Sequence, residues 1–149
     1  MLAVVLVFGM MVVGCDNGST GSNGSTGDGI NRSGSFTAAI FSLSESDYTS
    51  VFGRAAPTGF QMLTGTRAEL IDLIEPAKAA DSFNHLAAGT NLTFSQVEGA
   101  VQTELVATSI ITDANRNTMM TAVGNNGYGV GVIPIPGNQI GIAAAYRQQ

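Results

Sequence analysis

The spacing of hydrophobic residues changes along the chain, and each change marks a predicted element of secondary structure. Residues 36–43 (FTAAIFSL) are a short apolar run flanked by turn-forming residues, which predicts a strand. The next stretch, residues 44–65, contains Pro57 and several glycines among scattered apolar residues. We expect irregular structure there, with the apolar side chains docking this connection onto the core.

A helix is predicted to begin at residues 66–69, because Thr66 and Glu69 match a capping box. Leucines and isoleucines follow at helical spacing as far as Pro76, which we expect to break or kink the helix. Residues 77–88 have the composition of a continuation or of a separate helix that ends at Gly89.

Further helices are expected towards the C-terminus. Ser95 and Glu98 match a second capping box. A helical stripe of apolar residues follows it: Val97, Ala100, Val101 and Leu105. Another helix is predicted to start after Thr112 and to end at Gly124.

The C-terminal residues change to the two-residue period of strands. Apolar residues alternate with glycines over residues 128–132, and apolar residues alternate again over residues 140–146. Between them, Pro136 and Gly137 suit the two central positions of a type II turn. This pattern predicts a β-hairpin with one apolar face. Together with the first strand, it predicts a single α+β domain over residues 36–149, in which about three helices pack on a small antiparallel sheet.

The first 35 residues do not fit this domain. Residues 1–14 are apolar and uncharged, and they are shorter than the roughly 20 residues of a membrane-spanning helix. Their length is typical of the apolar region of a secretory signal peptide, which normally opens with a basic residue. We therefore expect the true translation start to lie upstream. Residues 16–35 are rich in Gly, Ser, Asn and Thr and repeat the pentapeptide NGSTG, which predicts a disordered tether with an r.m.s. reach of roughly 25 Å.

The residues that join these two segments, Val12-Val13-Gly14-Cys15, resemble a lipobox, the maturation site of bacterial lipoproteins. Val12 stands where that pattern usually has leucine. The resemblance implies that diacylglycerol is transferred to the Cys15 thiol and that the signal peptide is cleaved between Gly14 and Cys15. Residues 15–35 would then carry the lipid and the tether, with the domain in the periplasm or outside the cell. Two or three acyl chains hold a protein stably in a membrane. The alternative, a buried thiol at the end of a core element, is disfavoured by the polar sequence that follows.

Charge and cysteine content exclude several classes of function. The chain has 11 acidic and 6 basic residues, for a formal net charge of −5. Its arginines are scattered along the sequence: Arg32, Arg54, Arg67, Arg116 and Arg147. Without a basic cluster, we expect neither nucleic-acid binding nor electrostatic adhesion to anionic lipid. Cys15 is the single cysteine, so no intramolecular disulfide can form and the domain must be stabilised by its hydrophobic core.

Few residues are candidates for chemistry. His85 is the single histidine, and we interpret it as a polar surface residue because a zinc site would need further ligands. Residues 113–117 (DANRN) copy the start of a calcium loop, but Thr118 replaces the glycine that such a loop needs, so a helix start is favoured. The glycines of residues 124–131 precede a strand rather than a helix. They favour a strand face that another backbone or a ligand can approach closely over a phosphate loop.

The remaining candidates are carboxylates, for which we favour structural roles: Glu69, Asp72, Glu75, Glu98 and Glu104. We therefore predict no catalytic residue, cofactor or metal site. The leading hypothesis is a non-enzymatic interaction or structural module, anchored to a membrane through lipid on Cys15 and binding a protein of the cell envelope. Two alternatives remain open: a small hydrolase with two carboxylates in one pocket, and a carrier of a small apolar ligand in an enclosed cavity.

Overall fold

The computed structural model of the chain describes residues 28–80 and 87–149. Within these residues, five strands form one antiparallel sheet: β1 (Phe36–Ser44), β2 (Gln61–Met62), β3 (Ala87–Leu92), β4 (Tyr128–Ile135) and β5 (Gln139–Arg147). Their order in the sheet is β2-β4-β5-β1-β3. The central strands β1 and β5 pair along their whole length, from Phe36 opposite Arg147 to Ser44 opposite Gln139.

Helices cover both sides of this sheet. The described residues contain four α-helices: α1 (Glu45–Phe52), α2 (Arg67–Ala80), α3 (Phe94–Val101) and α4 (Asp113–Asn126). A π-helical turn, Gln102–Val106, extends α3. Helices α1 and α2 pack on one face of the sheet, and α3, the π-helical turn and α4 pack on the other. The predicted α+β class is confirmed, whereas the predicted number of about three helices is too low.

Both faces of the sheet belong to the hydrophobic core. Phe41 and Ile142 point towards α1 and α2, and each is 0% exposed. Ile40 and Ala143, one residue along each strand, point towards α3 and α4 and are also buried, at 1% and 3% exposed. The predicted C-terminal hairpin is present, and Gly137 at its turn has the positive φ, 89°, that the third position of a type II turn requires. The expectation of a single apolar face is wrong, because a second layer of helices covers the other face.

The segment from residue 44 to residue 65 contains more regular structure than predicted. Helix α1 begins where Ser44 Oγ accepts a hydrogen bond from the Asp47 N–H at 3.1 Å. It ends at Gly53, whose φ of 61° closes the helix in the left-handed conformation. Tyr48 and Phe52 on this helix are buried and stacked, with ring centroids 4.9 Å apart. An eight-residue helix has too few turns to show a clear hydrophobic period in the sequence.

Helix α2 has the predicted capping box. The Thr66 N–H donates to Glu69 Oε2 at 2.8 Å, and the Glu69 N–H donates to Thr66 Oγ1 at 3.3 Å. The helix does not break at Pro76 but continues to Ala80. The prolyl ring is on the exposed side of the helix, and the next residue, Ala77, is buried against the sheet.

The prediction of a helix over residues 77–88 is wrong at its C-terminal end. Residues 81–86 lie outside the described residues, but Ala87–Leu92 form the edge strand β3, paired with β1. Gly89 therefore lies within a strand and does not end a helix. The preference of alanine for helices is weak compared with the backbone hydrogen bonds that a neighbouring strand offers. Here the pairing with β1 decides the conformation.

The capping box of helix α3 lies two residues before the predicted one. The box is formed by Thr93 and Gln96, with N···O distances of 2.8 and 3.2 Å between backbone and side chain. The earlier start makes Phe94 helical, and its ring packs edge-on against Phe36 with centroids 5.8 Å apart. Of the predicted apolar stripe, Val97, Val101 and Leu105 are buried and Ala100 is half-buried.

Helix α4 begins as predicted after Thr112, whose Oγ1 accepts from the Asn115 N–H at 3.2 Å. It does not end at Gly124. The helix continues to Asn126, and Gly127, with a φ of 79°, ends it. Residues 113–117 are thus the first turns of a helix rather than a calcium loop.

Candidate functional site

Residues 28–35, which we call the strap, lie against the domain rather than extending away from it. Ile30 is half-buried and packs on the apolar cluster between the sheet and helices α3 and α4. At the other end of the strap, the Ser35 carbonyl accepts a hydrogen bond from the Gln148 N–H at 2.7 Å. We expected these eight residues to belong to the tether. The contact of Ile30, the single large apolar residue of the polar segment, explains why they pack on the domain instead.

Arg147, at the end of β5, connects the strap to the body of the domain. Its Nε donates to the Ser33 carbonyl at 3.0 Å, and its Nη2 donates to the Asn31 carbonyl at 2.9 Å. The same Nη2 also donates to the carbonyl of Gly124 in helix α4 at 3.2 Å. The guanidinium carbon is 5.1 Å from the centroid of the Phe36 ring. Hydrogen bonds from a charged donor are stronger than neutral ones, so one side chain fixes the strap to both a helix and the sheet.

Gly124 makes room for the strap. A Cβ built on this residue would overlap Cγ2 of Ile30 and would lie 3.3 Å from the Asn31 carbonyl oxygen. Glycine is unfavourable inside a helix, and here the close approach of the strap accounts for its presence. Gly124, which the sequence predicts as the end of a helix, is instead the position at which the strap packs on helix α4.

A cleft of about 280 Å³ lies between the strap and helices α3 and α4. Two carboxylates line it, Asp28 from the strap and Glu98 from α3, together with the Phe94 ring. Asp28 Oδ2 is 2.5 Å from Arg32 Nη2, and Asp28 Oδ1 accepts from Arg32 Nη1 at 2.9 Å and from the Ile30 N–H at 3.1 Å. The Arg32 guanidinium also lies over the Phe94 ring, 5.4 Å from its centroid.

The electrostatics of this cleft favour a structural ion pair. The hydrogen bond to Asp28 raises the pKa of Arg32, and the negative charge of Glu98 contributes less in the same direction. A hydrolase with paired carboxylates needs one of them protonated and free to give its proton. Asp28 is instead bonded to a permanently charged guanidinium and to a backbone N–H, so the cleft does not have the arrangement that this alternative requires.

Of the other candidate carboxylates, Glu69 caps a helix and Glu75 makes a surface ion pair. Glu69 is fully exposed in the capping box of α2, and the hydrogen bond from the Thr66 backbone lowers its pKa. That shift is opposite to the one a general acid needs at neutral pH. Glu75 pairs with Lys78 at 3.3 Å on the surface of α2, and Asp72 and Glu104 lie on helix surfaces.

A second depression, of about 700 Å³, lies where β1 meets α1 beside the turn of the hairpin. It is open to solvent, and its lining is mostly hydroxyl-bearing: Ser44, Glu45, Ser46, Thr49, Ser50 and Asn138. A carrier of a small apolar ligand encloses it among hydrophobic side chains. Neither this depression nor the cleft beside the strap has that character.

The glycine-bearing face of β4 is filled by the protein itself. A Cβ on Gly129 would stand 3.1 Å from a methyl of Val123 in α4 and 3.2 Å from Cε of Met62. A Cβ on Gly131 would stand 2.9 Å from the ring of Phe60. The close approach that we predicted from these glycines is therefore made by the protein's own side chains and by helix α4.

The predicted lipidation and cleavage residues, Cys15 and Gly14, lie outside the described residues, as does His85. In residues 28–80 and 87–149, no group of three or more His, Cys, Asp or Glu side chains is arranged to hold a metal ion. Within the same residues, every helix is too short or too polar to cross a membrane.

No protein-family model matches the chain, and no curated protein or solved structure is significantly similar to it. The function therefore has to be argued from the residues and their geometry.

Proposed function

We propose that the protein is a membrane-anchored bacterial lipoprotein whose domain is a non-enzymatic interaction or structural module of the cell envelope. Lipid on Cys15 would be the anchor, and residues 16–27 would be the tether between the lipid and the strap. Twelve residues of this composition have an r.m.s. reach of about 19 Å as a coil and a limit of about 42 Å when fully extended. The domain would thus work close to the membrane without lying on it.

The observation that carries this proposal is the way in which the domain uses its basic side chains. All six lie in described residues, and each is bonded within the domain. Their partners are Asp28 for Arg32, the Thr64 carbonyl for Arg54, the Arg147 carbonyl for Arg67, Glu75 for Lys78, Gln102 for Arg116, and strap carbonyls for Arg147. A guanidinium that already satisfies groups of its own domain is poorly available to phosphate headgroups, and the net charge of −5 repels an anionic surface. Attachment to a membrane would then depend on the lipid.

The placement of the carboxylates supports a non-enzymatic role. Asp28 forms an ion pair with Arg32, and Glu69 caps the N-terminus of α2. Both charges stabilise local structure, and this use competes with proton transfer to a substrate.

Metabolic labelling with an alkyne-bearing fatty acid, with the protein expressed from its own gene in a bacterium, tests the anchor. The wild type should carry the label and sediment with membranes, and its mature mass should correspond to a chain that begins at Cys15 plus lipid. Cys15→Ser should lose the label and appear in the soluble fraction even at low ionic strength. Ser19→Ala, a neighbouring change in the predicted tether, should behave as the wild type.

Label on the Cys15→Ser protein, or no label on the wild type, would contradict the anchor. Retention of unlabelled Cys15→Ser on membranes at low salt and its release at high salt would contradict the argument from the basic side chains, because it would reveal electrostatic adhesion by the domain.

A further inference from the structure

We infer that the strap is a latch that sets the length of the membrane tether. With the strap latched, the spacer between Cys15 and the domain is residues 16–27; with the strap released, the spacer extends to residue 35. The consequence for the tether rests on the proposed function, whereas the latch is a property of the domain.

The latched state is built into helix α4. The three atoms nearest to a Cβ built on Gly124 all belong to the strap: Cγ2 of Ile30 and the carbonyl oxygen and nitrogen of Asn31. The nearest of them, Cγ2 of Ile30, would overlap the added atom. A helix interior favours almost any residue over glycine except proline, so the glycine is explained by the strap that lies on it.

The contacts of the strap are of a kind that opens without unfolding the domain. The strap forms neither helix nor strand, and Asn31, Ser33, Gly34 and Ser35 are exposed. Ile30 is its one large apolar side chain, and it is half-buried. Segments with few buried apolar contacts open at a lower free energy than the core to which they are attached. The strand that follows the strap, β1, by contrast, lies inside the sheet between β5 and β3.

Arg147 supplies the side-chain hydrogen bonds that join the strap to the domain. Its guanidinium donates hydrogen bonds to the carbonyls of Asn31 and Ser33. It also donates to the Gly124 carbonyl and lies over the Phe36 ring, and these two contacts orient it. Loss of these bonds leaves three contacts to hold the strap: the packing of Ile30, the Arg32 guanidinium over the Phe94 ring, and the Gln148 N–H that donates to the Ser35 carbonyl.

Release would change where the domain can act. The r.m.s. reach of the spacer would grow from about 19 Å to about 25 Å, and its extended limit from about 42 Å to about 70 Å. A partner that lies beyond the shorter limit would select the released state, since binding shifts a protein towards the conformation that it favours.

Tryptic cleavage after Arg32 reports release, because this bond lies inside the strap. The full chain carrying Cys15→Ser is the starting protein, so the result does not depend on lipid. Gly124→Ala should accelerate this cleavage at least tenfold, since the added methyl displaces Ile30, while the melting temperature stays the same or rises. Arg147→Gln should also accelerate cleavage after Arg32. Gly99→Ala is the matched control, a glycine inside helix α3 with no atom within 4 Å of the added Cβ, and it should leave the cleavage rate unchanged.

An unchanged cleavage rate in Gly124→Ala would overturn the latch. A lower melting temperature with faster cleavage after Arg67 and Arg116 would also overturn it, because the strap would then be an integral part of the core.

The tether is tested on the wild-type background, lipidated and in vesicles, with a donor dye at the hairpin turn and an acceptor lipid. Gly124→Ala should lower the energy transfer relative to Gly99→Ala. Equal transfer with faster cleavage would overturn the effect on tether length, and absence of lipid would identify a failure of the proposed anchor instead.

Discussion

The ring of Phe60 lies directly against Gly131: its Cε2 is 2.9 Å from the position that a Cβ on that residue would take. Gly131→Ala should therefore lower the free energy of unfolding by about 1–3 kcal/mol, the usual cost of overpacking a core. Urea denaturation measures the change. Gly59→Ala, with no atom within 4 Å of the new methyl, should stay within about 0.5 kcal/mol of the wild type. Equal effects of the two substitutions would contradict the packing.

The hydroxyl of Tyr48 is buried in the core without a hydrogen-bond partner among the described residues. An unpaired buried hydroxyl costs stability, so Tyr48→Phe should raise the free energy of unfolding by about 1 kcal/mol. Tyr128→Phe is the contrasting variant, because the Tyr128 hydroxyl donates to the Gly65 carbonyl at 3.0 Å, and its removal should lower stability by about 1 kcal/mol. Thermal denaturation of both variants measures these changes in stability. A loss of stability in Tyr48→Phe would show that the Tyr48 hydroxyl has a hydrogen-bond partner.

Alkaline pH should destabilise the domain through the same tyrosine. Burial raises the pKa of Tyr48 above the ordinary value of 10.0. In that range the unfolded chain has lost the phenolic proton while the folded chain retains it, so stability falls as pH rises above 10. The slope of the melting temperature between pH 9 and pH 11 should be shallower in Tyr48→Phe than in the wild type. Parallel slopes would show that Tyr48 titrates as a free tyrosine.

Acidic pH should destabilise helix α2 through Glu69. Its hydrogen bonds to Thr66 hold its pKa below the ordinary value of 4.5. Its charge therefore stabilises the fold above that value, and the contribution is lost as the pH falls through the lowered pKa. Glu69→Gln, which keeps an acceptor but no charge, should melt at a lower temperature than the wild type at pH 7 and at the same temperature near pH 2. A difference that persists at pH 2 would assign the effect to geometry rather than charge.

Both faces of the sheet should be equally intolerant of cavities. Ile40→Ala on the α3 and α4 side and Ile142→Ala on the α1 and α2 side should each lower the free energy of unfolding by about 2–5 kcal/mol. Thr90→Ala, on the exposed part of β3, should change it by less than about 0.5 kcal/mol. If Ile40→Ala changed the free energy of unfolding as little as Thr90→Ala, the sheet would have one buried face, as the alternation in the hairpin predicts.

Local signals in the sequence were reliable where the chemistry that they depend on is also local. The Thr66 and Glu69 box, the Thr112 cap and the hairpin turn at Gly137 all follow from residues within a few positions of one another. Thr93 with Gln96 and Ser95 with Glu98 match the same capping pattern equally well. The choice between them depends on the burial of an aromatic ring against a strand far away in sequence, which a local pattern does not contain.

Errors arose where a distant element decides the local structure. Gly124 has the appearance of a helix end, and its real partner, Ile30, is more than ninety positions away. Ala87 is in a strand because β1 offers it backbone partners. The strap depends on a distant element in the same way, and Ile30 within a polar segment is the one sequence feature that indicates an apolar contact there.

The pairing of Phe36 with Arg147 puts the entry and the exit of the chain at one end of the domain. The hairpin turn at Gly137 lies at the other end, about 27 Å away along β5. An affinity tag fused after Gln149 would therefore lie beside the strap and compete with it for the Arg147 side chain. A reporter inserted at the exposed turn would leave that end undisturbed. The two tagged proteins should therefore differ in how firmly the strap is bound to the domain.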